Sequence, residues 1–141
     1  MDTSRLLKKD LGPIFDQLGI TPWTPDNLVT SAKKSAISMI PIDLTVPMQR
    51  LKPENRLLIM WRLGLPCLTS PSPAYIRVAS KAGVKAVCDS PKVWLENFSN
   101  LLSDPSFAHE EVLRGQNYLR ENHNRENLLT KWDQVIESVI G

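Results

Sequence analysis

Residues Lys52 to Tyr75 read KPENRLLIMWRLGLPCLTSPSPAY, and their order decides the fold. A proline restricts the backbone at a first turn, and an apolar helix runs toward Leu63. Gly64 stops that helix, Pro66 to Ser70 has the character of a short strand, and Ser72-Pro73 opens the next helix. Helices alternating with short apolar runs indicate a parallel sheet covered by helices. The same order brings the cations Lys52 and Arg56, with the free N–H groups of a helix start, to the sheet's edge. Open parallel sheets hold phosphates there.

Working outward, four of the eleven prolines follow a capping residue: Thr24-Pro25, Ser72-Pro73, Ser90-Pro91 and Asp104-Pro105. A side-chain oxygen at N-cap and a proline at the first helical position mark a helix start. Proline lacks the N–H that such a start leaves unpaired anyway. Between these starts, Ser35–Ile42, Pro66–Ser70 and Val84–Cys88 carry strand character, and Ile20–Trp23 is a shorter strand candidate. Pro91–Leu102, Pro105–Glu121 and Arg125–Ile140 then follow as three helices with no strand between them. The last carries Leu128, Leu129, Trp132, Val135, Ile136, Val139 and Ile140 on one stripe, with Lys131, Asp133 and Glu137 outside it. This stripe is expected to pack back on the domain, a partner interface being the alternative. The chain thus reads as one α/β domain over residues 1–141. A helix candidate, Ser4–Leu18, lies within the N-terminal part (1–19). A core over 20–90 has three or four parallel strands, and helices fill 91–141.

With 42% hydrophobic and 23% charged residues the composition is that of an ordinary globular protein. No apolar run approaches the ~20 residues that span a membrane. The start, MDTSRLLKKDLG, lacks the apolar segment of a secretory signal, so a cytoplasmic location is expected. Cys67 and Cys88 sit in apolar settings without a nearby histidine, which points to buried thiols rather than zinc ligands. His109 and His123 lie in polar surroundings with no paired nucleophile. No Ser-His-Asp set, Gly-rich phosphate loop or HExxH occurs, so neither a catalytic centre nor a metal site is expected in this chain, and no cofactor. Charge is uneven: residues 1–46 sum to zero, 47–92 to +6 and 93–141 to −4. The basic middle favours an anionic ligand. A nucleic-acid partner is not expected, because the basic residues are not interleaved with exposed aromatics.

Arg56 is the focal residue. A cation near a helix start opposes the helix dipole by ~0.3–1 kcal/mol, and an anion shared with the free N–H groups would offset that. The alternative is a solvated arginine. Lys52 and Asn55 flank it. Ser70, Ser72 and Tyr75 sit where the strand turns into the next helix; Ser72 reads first as a cap, and Tyr75 as ligand-facing or core. Trp61, Trp94 and Trp132 fall on apolar helix faces and read as core. Trp23, in Thr-Pro-Trp-Thr-Pro, is placed either to stack on a base or simply to pack.

The run Asn55-Arg56-Leu57-Leu58-Ile59-Met60-Trp61-Arg62-Leu63-Gly64-Leu65-Pro66-Cys67-Leu68 resembles the donor-side helix and strand of glycosyltransferases of the two-domain GT-B type. In those enzymes this point often reads Asn-Lys-Leu-Leu-Glu, then Gly-x-Pro-Val. Pro22-Trp23-Thr24 followed by a helix, then SAISMIPID, resembles the preceding helix and strand of the same domain. Ser90 to Pro105, with Trp94 and Leu101-Leu102-Ser103-Asp104-Pro105, resembles the helix after the last strand. Arg125–Ile140 resembles the closing helix, so the resemblance spans about residues 20–141 in order.

The resemblance implies a partial Rossmann-like donor domain that binds a nucleotide-diphosphate sugar, with Arg56 beside the diphosphate and Lys52 in support. Donor-binding residues would be Lys52, Asn55, Arg56, Ser70, Tyr75 and Trp23. Two departures qualify it. Ile59 and Leu51 stand where the family often places ribose-holding acidic residues. The acceptor domain and the first strands of the donor domain also have no counterpart, so the chain alone is expected to be inactive as a hexosyl transferase. The alternative is a non-catalytic protein-interaction module on the same α/β fold.

Overall fold

The computed structural model describes residues 19–140; the helix candidate Ser4–Leu18 lies outside the described residues. The elements are α1 (Pro25–Ala32), β1 (Ser38–Ile40), α2 (Pro47–Arg50), α3 (Asn55–Arg62), β2 (Cys67–Thr69), α4 (Pro73–Ala82), α5 (Pro91–Ser103), α6 (Pro105–Asn122) and α7 (Arg125–Ile140). The architecture is mixed α/β and mostly helical, ending in three consecutive helices.

Local chemistry sets the helix starts. Thr24, Ser72, Ser90 and Asp104 each accept a hydrogen bond from a backbone N–H in the first turn of the helix they precede, and each is followed by proline. α3 is followed by Gly64 (φ 78°) and α4 by Gly83 (φ 67°), left-handed positions that glycine takes without a Cβ penalty.

β1 and β2 pair in parallel, with Ser38 opposite Cys67 and Ile40 opposite Thr69. The connection between them carries α3. The expected third strand, Val84–Cys88, is reduced to a single bridge between Thr69 and Val87, and among the described residues the expected three- or four-stranded sheet is a two-stranded one. Beyond Thr69, Ser70 N–H continues the ladder to Ile40 O, and Pro71 has no N–H to give to the 84–88 segment. On the outer edge, facing away from β2, Lys85 N–H is taken by the Glu111 carboxylate at 2.6 Å. Proline trims the first strand as well: Ser35–Ile42 narrows to Ser38–Ile40, stopped by Pro41. Ile20–Trp23 forms no strand; Pro22 interrupts it and both Ile20 and Trp23 are exposed.

Successive residues of β2 face opposite sides of the sheet. Cys67 joins the larger core with Leu57, Trp61, Tyr75, Val78 and Leu119. Leu68 joins a smaller one with Cys88 and Leu101, against which Trp94 and Phe98 pack. α6 lies against α3, α4 and α5 and closes the domain. Gly115 permits the closest approach: a Cβ there would run into the Trp61 ring, with Cδ1 at 2.9 Å. Outside this body, α1 buries only Ala32, and α7 buries none of its residues. The expectation that α7 packs back on the domain is therefore overturned for the described residues. Trp132 is exposed rather than core. Among the described residues no helix is long and apolar enough to cross a membrane.

Candidate functional site

α3 is the element that builds the site. Leu57, Leu58 and Trp61 face the core, while Arg56, Ile59 and Met60 fall on a second side of the helix. That side, the end of β1 (Met39, Ile40, Pro41) and Leu28 of α1 enclose a cleft of about 580 Å³, with Trp23 at its lip. The walls are apolar, and Arg56 is the charged residue among those lining it. Trp23 is 78% exposed, so its ring is available to a second flat surface.

The start of α3 differs from four of the other helix starts. Glu54 precedes it without capping through its side chain; its carboxylate instead pairs with Arg77 at 3.1 Å. The first helical bond is Leu58 N–H to Glu54 O at 3.2 Å, which leaves the N–H groups of the exposed Asn55 and Arg56 without an intrahelical partner. Positive helix end and guanidinium thus lie on one turn.

Of the six residues proposed from the sequence, Trp23 and Arg56 meet in the cleft. Asn55 is exposed at the first position of α3, and Lys52 is half-buried one loop earlier with its N–H on Gln49 O. Ser70 and Tyr75 are not brought to the cleft, because the fold uses them. Ser70 Oγ accepts the Ile42 N–H at 2.8 Å and holds the turn after β1. Tyr75 is fully buried in the larger core, and its N–H goes to Ser72 Oγ at 3.3 Å. Its hydroxyl has no partner among the described residues, and burial pushes its pKa up while Arg56 nearby pulls the other way. Sequence reading missed Leu28, Met39 and Met60. The available signal was an α3 apolar on two sides, which a helix with one buried face does not need.

The cysteines take no part in the cleft. Both are buried and free; burial pushes the Cys67 thiol up to about 12 and raises Cys88 as well, which keeps both protonated at neutral pH. Among the described residues no group of three or more His, Cys, Asp or Glu side chains could hold a metal ion. His109 is exposed. His123 tilts against Tyr118 with ring centroids 5.5 Å apart, and burial followed by Lys131 lowers its pKa. A second apolar groove, of about 500 Å³, is lined by Met39, Pro91, Trp94, Leu95 and Phe98, so Met39 borders both hollows.

Comparison with known proteins finds no matching family model, no matching curated protein and no matching solved structure.

Proposed function

We propose that the chain is the nucleotide-sugar-binding C-terminal portion of a GT-B-like glycosyltransferase, inactive by itself. The observation that carries this reading is the meeting of Trp23 and Arg56 in one cleft, beside the uncapped start of α3. An aromatic face at one side and a guanidinium with free N–H groups at the other match a ligand with a flat base and a diphosphate. In the intact transferase the bond between the sugar's anomeric carbon and the diphosphate oxygen breaks. The departing diphosphate takes the electron pair, and Arg56 with the α3 N–H groups stabilises that charge. Lys52 and Asn55 flank the same turn. Ile59 on the cleft wall offers the ribose no hydrogen bond, so stacking and charge carry the binding.

The test is titration of the full chain with nucleoside diphosphates of each common base, followed by backbone and indole NMR shifts. Saturable shifts at Trp23 and Arg56 are expected. Arg56→Ala should weaken binding about tenfold or more, since a charge-assisted hydrogen bond contributes ~1.5–3 kcal/mol. Absence of shifts at millimolar ligand would overturn the reading. A second reading, a protein-interaction module on the same scaffold, is favoured by the exposed apolar stripe of α7.

A further inference from the structure

Among the described residues, α7 is held at its beginning. Arg62 Nη2 donates to His123 O at 3.5 Å, just before the helix, and none of its residues from Arg125 to Ile140 is buried. Its seven stripe residues range from 46% (Ile136) to 82% (Val139) exposed. A helix of this length is marginal alone in water; in proteins such helices persist because an apolar face is covered. At roughly 100 Å² each, the seven expose on the order of 700 Å², more than the ~300–600 Å² of the largest patch on a typical monomer.

We infer that this face pairs with the same face of a second copy of the chain. Area is the first argument. About 700 Å² from each copy comes close to the ~800 Å² per partner of a standard stable interface. Charge is the second. In a two-fold interface the same patch meets itself, so a charge inside the seam would be buried near its own like. From Leu128 to Ile140 the stripe contains none: Lys131, Asp133 and Glu137 all fall outside it. The pairing is independent of the nucleotide reading, because no α7 residue lines the Trp23–Arg56 cleft.

Sedimentation velocity of the full chain from 1 to 100 µM tests this. A concentration-dependent shift from 15.9 kDa to twice that mass is expected. Ile136→Glu and, separately, Trp132→Glu should weaken association at least about a hundredfold, with far-UV circular dichroism at 1 µM unchanged because neither side chain is buried. Leu95→Glu, in the groove on α5, should leave the dimer intact. A dimer that survives both α7 variants, or is lost with Leu95→Glu alone, overturns the proposal. So does a chain that stays monomeric at 100 µM. In a monomer, acrylamide quenching compared between the parent and Trp132→Phe isolates this indole: Trp132 shielded would mean that its own chain covers the stripe, which also overturns the proposal.

Discussion

Glu111 shows how one side chain can cover the outer edge of a strand-like segment. It lies on α6, only 3% exposed, and accepts the Lys85 N–H at 2.6 Å and Arg114 Nη1 at 3.3 Å. Ala86 O and Cys88 N–H bond Thr69 of β2, so Lys85 N–H faces the opposite edge, and Glu111 covers that edge. Burial raises the Glu111 pKa above its ordinary 4.5, opposed by Lys85 N–H and then by the charge of Arg114. A raised folded value means that the folded protein holds the proton more tightly than the unfolded chain. The resulting stability is fully present below the ordinary value and is lost as pH rises through the folded one. Glu111→Gln keeps an oxygen for Lys85 and carries no charge. It should be as stable as the parent at pH 7 or more so, with a flatter decline in urea midpoint above pH 4.5. Glu111→Ala removes the acceptor of a part-buried N–H and should cost about 1 kcal/mol. If Gln destabilises as much as Ala at pH 7, the charge itself is needed.

Among the elements, α4 and α1 start with the same chemistry in different settings. Ser72 caps α4 from a fully buried position, and α4 contributes Tyr75, Val78 and Ala79 to the core. Thr24 caps α1 from the surface, and α1 contributes only Ala32. Ser72→Ala should therefore lower the unfolding free energy by about 1–2 kcal/mol. Thr24→Ala should barely move it, because α1 can fray without opening the core. Chemical denaturation of the two variants decides; equal losses would place α1 within the cooperative unit. The same local rule explains why the starts at Pro25, Pro73, Pro91 and Pro105 were legible in the sequence, since a cap and its proline are neighbours along the chain. Sheet width was legible only in part: Pro71 removes a ladder donor beside Thr69, but Glu111 covers the outer edge at Lys85 from another element. The roles of Ser70 and Tyr75 were not legible: a hydroxyl at a strand end looks alike in sequence whether a ligand, a turn or the core claims it. Arg56 and Trp23 were legible as polar and aromatic exceptions to their surroundings. The apolar wall between them was not, because Leu28 and Met39 become a cleft only when α1 and β1 meet α3.

For the whole molecule, the distribution of burial sets an order of opening. β2, α3, α4 and α6 share the larger core and its closure by Trp61 against Gly115, so their amides should exchange only when the domain unfolds globally. α1 and α7 are attached without sharing that core. In hydrogen exchange at 1 µM, amides of α1 and α7 should exchange at least about a hundredfold faster than those of α3 and α6, a difference of ~3 kcal/mol or more in opening free energy. Raising the concentration to 100 µM should separate the two. Self-association through the Trp132 stripe favours the state in which α7 is helical, so its protection rises with concentration by mass action. α1 carries no comparable stripe and should stay as it was. Protection of α7 equal to that of α6 already at 1 µM would mean that the helix is covered within the single chain, and the division of this fold into a closed body and a projecting helix would fail.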